Sequence, residues 1–242
     1  MNIFLLGDVP NDLVSFTFFI GTMAMMAASV FFFLSLDAGG GKWRTSMLVS
    51  GLITFIAAVH YYYMRDANVS GADVTFFRYV DWILTVPLMC VEFYLILAKA
   101  GATKKLMWQL IGLSTVMLVA GYIGETGDSP VLYGTISGAA YFVMVGMLWL
   151  GSPKALAEKA GGSVLEAYNA LCWFILVGWS IYPIGYMIGT DGWYDFVDAI
   201  PLDMDVVYNI GDAINKIGFG LVVYNLAGGG TIDISILELG DG

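Results

Sequence analysis

Residues 13–36 read LVSFTFFIGTMAMMAASVFFFLSL, twenty-four consecutive positions without an Asp, Glu, Lys or Arg. A helix rising about 1.5 Å per residue needs roughly 20 such positions to cross the hydrocarbon core of a bilayer. Residues 46–64, 106–124, 130–153 and 167–190 pass the same test. Two more stretches, about 76–98 and 203–227, are apolar but interrupted, the first by Arg78, Asp81 and Glu92 and the second by Asp212 and Lys216. The whole chain agrees with this local reading: of 242 residues, 59% are hydrophobic and only 12% charged, with a mean hydropathy of +0.78. A soluble domain carries about 25% charged residues. The net charge of −10 also repels phosphate backbones, which argues against a nucleic-acid binder.

The fold class expected is therefore an all-α membrane protein, a bundle of seven transmembrane helices at about 10–36, 45–66, 76–99, 104–124, 130–151, 165–190 and 203–227. Short links make neighbouring helices antiparallel partners in a single domain over 1–227, followed by a flexible cytoplasmic tail at 228–242. Seven of the ten Lys and Arg residues fall in alternate links: Lys42 and Arg44, then Lys99, Lys104 and Lys105, then Lys154 and Lys159. The opposite links hold Arg65 and the acids Asp66, Asp73, Glu125, Asp128, Asp191, Asp195 and Asp198. Basic links face the cytoplasm, so the N-terminus is expected outside and the C-terminus inside. Asp8 and Asp12 precede the first span where a signal peptide would carry bases, so that span is expected to direct its own insertion. Cys90 and Cys172 lie within spans and read as small core residues.

Ionisable groups inside a bilayer cost roughly 2.5–3.5 kcal/mol each on insertion scales, so their placement is informative. At roughly 100° per residue, Arg78, Thr85 and Glu92 lie about 60°, 40° and 20° from Asp81, all on one stripe of the third span. Glu92 stands about 16 Å further along the axis. On the seventh span Asp212 and Lys216 are four apart and face the same way. Burial disfavours the charged form of a carboxyl, so Glu92 can hold a proton, while Asp81 and Asp212 can balance Lys216 and Arg78. Two carboxyls at different depths with a hydroxyl between them suit a directional proton path. An inert charge cluster that fixes helix packing is the alternative.

Aromatic residues give a second signal. Trp82 adjoins Asp81. Trp179, Tyr182 and Tyr186 on the sixth span flank Pro183, which should bend that helix, and Tyr208 lies on the seventh. An aromatic-walled slot beside a buried lysine suits a conjugated aldehyde carried as a Schiff base. Aromatic core packing explains the same spacing equally well.

Three quoted stretches carry a resemblance: RYVDWILTVPLMCVEFYLIL at Arg78–Leu97, WSIYPIGY at Trp179–Tyr186 and YNIGDAINKIGFGLVVYN at Tyr208–Asn225. Together they resemble the microbial (type 1) rhodopsins, nearest the proteorhodopsin and xanthorhodopsin branch of proton pumps. The resemblance implies that Lys216 carries all-trans retinal as a protonated Schiff base. It implies that Asp81 is the proton acceptor, Asp212 the second counterion, Arg78 a guide for release and Glu92 the cytoplasmic donor. Asp81, Thr85 and Glu92 form the D-T-E pattern of outward proton pumps, whereas sodium pumps show N-D-Q and chloride pumps lack the acidic counterion. Trp82, Trp179, Tyr182, Pro183, Tyr186 and Tyr208 would wall the retinal site. Metal ligation is not implied.

Finer features follow from the same resemblance. His60, the sole histidine, would bond Asp81 and tune its affinity for the proton; the alternative is a core histidine bonded to a neighbour. Met89 stands at the position that tunes colour, where Gln goes with blue absorption, so green absorption is expected. Gly134 is similar to a glycine that opens a window for an antenna carotenoid, or is simply a small residue at a helix contact. The link from Asp191 to Asp205 is longer and more acidic than expected, and no evident pair of outer glutamates supplies a release group. Membrane lipids and a homo-oligomer, a pentamer or trimer, are the implied partners, in a prokaryotic plasma membrane. The reading is that of a light-driven outward proton pump and not of an enzyme. A sensory photoreceptor signalling through a membrane partner is the alternative, against which a cytoplasmic donor at Glu92 argues.

Overall fold

The computed structural model describes residues 12–201 and 203–229. The tail expected at 228–242 lies outside these residues beyond Gly229. Nine α-helices are formed among the described residues: α1 (Leu13–Leu34), α2 (Arg44–Val69), α3 (Thr75–Leu97), α4 (Lys104–Thr126), α5 (Pro130–Leu150), α6 (Ser152–Ala160), α7 (Gly162–Leu176), α8 (Ile181–Gly189) and α9 (Met204–Tyr224). They compose seven lengths that are long and apolar enough to cross a membrane, with α5 running into α6 and α7 into α8. No strand occurs among the described residues.

The helices close into a ring. α1 packs on α2 and α9, α2 on α3, α3 on α4, α4 on α5, and α7 and α8 complete the circuit against α9. Its polarity is the reverse of a soluble bundle. Leu34, Trp108, Phe142 and Leu150 point outward, while Asp81, Glu92, Asp212 and Lys216 are buried. An exterior of large apolar side chains is stable against lipid and would be a large exposed patch in water.

Local chemistry sets the helix ends. Asp12 caps α1 by accepting from the Ser15 amide at 2.7 Å, a bond that holds its carboxyl below the usual carboxylate range. Asp203 caps α9 by accepting from the amides of Asp205 (3.1 Å) and Val206 (3.3 Å). Pro130 opens α5, where a missing N–H costs nothing. In the α1–α2 link, Gly39 has φ +58° and a Cβ there would strike the Ala227 carbonyl, so a glycine lets this link close over the end of α9.

The bend expected near Pro183 lies one turn earlier, in a 3-10 turn at Gly178–Ser180 between α7 and α8. Proline cannot donate to the carbonyl of Trp179 and its ring crowds that carbonyl, so the disturbance falls on the preceding turn. The link expected between the fifth and sixth spans is itself helical, as α6. Ala157 is its buried anchor, and Lys154 lies 4.0 Å from Glu158 on its polar side. In the link before α9, a 3-10 turn spans Asp195–Ala199 and Tyr194 is buried beside Tyr186.

Candidate functional site

The site is built where α3 and α9 face each other across the ring. Asp212 and Lys216 lie one turn apart on the inner face of α9, and Asp81 projects from α3 to meet them. Their exposures are 1%, 2% and 0% respectively. Lys216 Nζ donates to both Asp81 Oδ2 and Asp212 Oδ2. A buried ammonium is tolerated only when paired and hydrogen-bonded, and here two carboxylates share it.

Each carboxylate is held differently. Asp212 Oδ1 accepts from the Tyr182 hydroxyl at 2.9 Å. Asp81 Oδ1 has no hydrogen-bond partner. His60 Nδ1 approaches it to 3.9 Å, beyond hydrogen-bond length, and instead donates to the Ile56 carbonyl one turn back at 2.9 Å. His60 is thus a neighbour of Asp81 without the direct bond that the resemblance implied. Thr85 is buried on the same stripe, but its hydroxyl donates to the backbone carbonyl of Asp81 at 2.9 Å and not to the carboxylate.

Arg78 was expected to share the balancing acids with Lys216. Its ion pair runs instead to Asp205 at 2.8 Å, and its guanidinium lies 4.9 Å from the centre of the Tyr208 ring. Nearby, the Tyr79 hydroxyl donates to Glu125 at 2.7 Å. Glu125 had been assigned to an outer link, and Asp205 stood where the 191–205 link overlaps the start of the seventh span at 203–227, with no role given to either. The sequence did contain a signal for Asp205: it stands seven residues before Asp212, two helical turns, and so on the same face.

Glu92 is fully buried and neither carboxyl oxygen has a hydrogen-bond partner. The Ser46 hydroxyl of α2 stands beside it, and the Ser50 hydroxyl, also buried, is unpartnered. Phe93, next along α3, packs edge-on against Tyr168 and Phe219. Glu92 stands about three turns along α3 from Asp81, apart from the Lys216 triad.

A cavity of about 700 Å³ opens beside the triad, within the roughly 300–1,000 Å³ of ligand pockets. Trp82, Trp179, Tyr182, Pro183, Tyr186, Tyr208 and Gly134 all line it. Tyr182 and Tyr208 stack at 5.9 Å, and Trp82 meets Tyr182 edge-on at 4.8 Å. Tyr182 lines the wall and donates to Asp212 of the triad, so the slot abuts the lysine site. Lys216 and Met89 are buried but do not line this cavity. The aromatic walls, the amine and its two carboxylates fit a conjugated aldehyde held on Lys216. Gly134 faces Tyr186: a Cβ there would come within 2.6 Å of that ring, whose hydroxyl donates to the Pro130 carbonyl at 2.6 Å. The glycine thus makes room for a tyrosine. The cavity still reaches the outward-facing Phe142 (68% exposed) and Trp193 (72%).

Asn215, which the sequence reading passed over, donates to the Gly178 carbonyl at 2.9 Å and so joins the residue before Lys216 to the break in the sixth span. Among the described residues no cluster of His, Cys, Asp and Glu is suited to a metal ion.

Residues 12–229 match the family described as bacteriorhodopsin-like protein. The chain is 45% identical over 229 residues to the blue-light absorbing proteorhodopsin of Gamma-proteobacterium Hot 75m4, covering 91% of this chain and 89% of the relative. It is 42% identical over 228 residues to the green-light absorbing proteorhodopsin of Gamma-proteobacterium EBAC31A08, with the same coverage. The crystal structure of xanthorhodopsin, described as a light-driven ion pump with dual chromophore, superposes with a TM-score of 0.76 at 28% identity, covering 92% of this chain and 95% of that one. The chain belongs to the bacteriorhodopsin-like family.

Proposed function

We propose that this bacteriorhodopsin-like chain is a light-driven outward proton pump. The observation that carries the reading is the Lys216 nitrogen held between Asp81 and Asp212, with a second buried carboxyl, Glu92, on the same face of α3. The names of its relatives, proteorhodopsins and a light-driven ion pump, support the same activity. Retinal held on Lys216 would supply light absorption and an isomerisation that changes which side of the membrane the lysine nitrogen addresses. Trp82, Trp179, Tyr182, Pro183, Tyr186 and Tyr208 would hold and orient it.

The chain's own residues then divide the work. Asp81 Oδ2, already bonded to Lys216 Nζ, accepts the proton. Asp212, fixed by Tyr182, keeps a negative charge beside the nitrogen and holds it in place. Glu92 returns a proton from the other side. Arg78, paired with Asp205, favours departure of the proton toward the outside. The gathering of Lys42, Lys99 and Lys159 about one cavity supports a cytoplasmic placement of that end, with the N-terminus outside. A carotenoid antenna would enter where the cavity reaches Phe142, and Tyr186 would have to yield over Gly134. An action spectrum of pumping with a hydroxylated or keto carotenoid added tests this: no new excitation band removes the antenna and leaves the pump untouched.

The decisive experiment is expression with retinal followed by illumination of an unbuffered cell suspension. Acidification of the medium, abolished by a protonophore and by Asp81→Asn, is expected. A coloured protein with no change in pH would replace the pump with a sensor. No colour would refute the site.

A further inference from the structure

A second cavity, of about 300 Å³, lies at the opposite end of the ring from Arg78 and Asp205. Three chain segments remote in sequence bring a lysine to it: Lys42 from the α1–α2 link, Lys99 from the turn after α3, and Lys159 from the end of α6. Its floor is apolar, formed by the buried Trp43 and Ile96 together with Val164. Lys42 Nζ stands 5.0 Å from the centre of the Trp43 ring. Among the described residues none of these lysines lies within 4.0 Å of a carboxylate, whereas Arg44 pairs with Asp37 and Lys154 reaches Glu158 on the same face. Three like charges converging on one concavity repel one another unless an anion joins them. The concentration is local, because the chain as a whole carries a charge of −10.

From this geometry we infer that the cavity binds a phosphate group, and that its apolar floor selects the phosphate of an anionic phospholipid at the membrane surface over a free one. Basic pockets between membrane helices bind headgroups in this way, each lysine contributing about fivefold in affinity and three together on the order of 100-fold. The assignment is independent of the retinal site.

The full chain in detergent is titrated with phosphatidylglycerol, with phosphatidylcholine of the same acyl chains and with inorganic phosphate, and bound molecules are counted by native mass spectrometry. Phosphatidylglycerol should be retained at least tenfold over phosphatidylcholine. Replacing Lys42, Lys99 and Lys159 by Gln should lose about 100-fold, each single replacement about fivefold, and replacing Lys104 and Lys105 on the same face should lose little. The single variants keep the test valid if the triple variant folds poorly. Inorganic phosphate binding with the same lysine dependence, as tightly as the lipid, would keep the phosphate site and assign it to a soluble anion. Equal retention of both lipids, or equal loss in the Lys104 and Lys105 variant, would overturn the site. Binding only after removal of residues 230–242 would also overturn it, since the chain's own Asp233, Glu238 and Asp241 would then be the occupant.

Discussion

Replacing Glu92 by Gln isolates the proposed return step. Gln has the same heavy-atom count and shape, and neither oxygen of Glu92 makes a hydrogen bond that would be lost. Folding and colour should therefore be preserved, with stability changed by no more than about 1 kcal/mol. What disappears is the proton that the proposed donor would hold about 16 Å from Asp81 along α3. A positioned acid contributes about 10²–10⁴-fold to a proton transfer. Without it the proton must come from the bulk solution, where free protons are scarce at neutral pH. The lifetime of the deprotonated pigment, followed by flash photolysis, should lengthen by about 10²-fold or more. It should also become first order in bulk protons, growing about tenfold for each unit rise in pH, and added azide should shorten it again. A lifetime within about twofold of the native protein, or one with no pH dependence, would refute Glu92 as the donor.

Lys216→Ala should abolish pigment formation, and it leaves Asp81 and Asp212 buried without their cation. Breaking such a group costs about 3–5 kcal/mol, so the retinal-free variant should unfold at a lower temperature than the retinal-free native chain. Tyr182→Phe removes the hydroxyl that donates to Asp212, at a cost of about 1.5–3 kcal/mol for a bond to a charged group, read as a lowered Tm in the pigmented protein. Met89→Gln should move the absorption maximum to the blue; the native maximum should be green, and a blue native pigment would contradict the reading of Met89. His60→Asn should shift the pH midpoint of the colour change if 3.9 Å is close enough for His60 to act on Asp81, and an unmoved midpoint would reduce His60 to a helix-packing residue.

The seven spans were legible because a bilayer demands length and apolarity, and both are properties of the chain read in order. Helical spacing also placed Asp81 with Glu92, and Asp212 with Lys216, since each pair lies on one helix. What crosses between helices was less accessible. The Arg78–Asp205 pair joins α3 to the first turn of α9, and Asp205 looked like one more acid in an acidic link. The Asn215 bond to Gly178 depends on a carbonyl exposed by the break before Pro183, and its position appears only when both helices are in place. His60 was drawn to Asp81 by resemblance, yet its ring nitrogen found the carbonyl of Ile56, four residues back on its own helix.

In the proposed pump, asymmetry between the two carboxyls of α3 would let one stripe give a direction to transport. Both Asp81 and Glu92 are fully buried and occupy the same face of the same helix, so burial alone cannot distinguish an acceptor from a donor. Their surroundings do. Asp81 is bonded to the Lys216 cation, and a charge so paired is tolerated in the interior. Glu92 has no paired cation and only the Ser46 hydroxyl beside it, and an unpaired charge is costly in the interior. In the proposed pump this difference would suit one group to receive a proton and the other to give one. Moving a cation beside Glu92, as in Ser46→Lys, should favour its charged form and slow the return step with Glu92 still present. A return rate unchanged by such a cation would mean that something other than this difference in pairing sets the order of the two transfers.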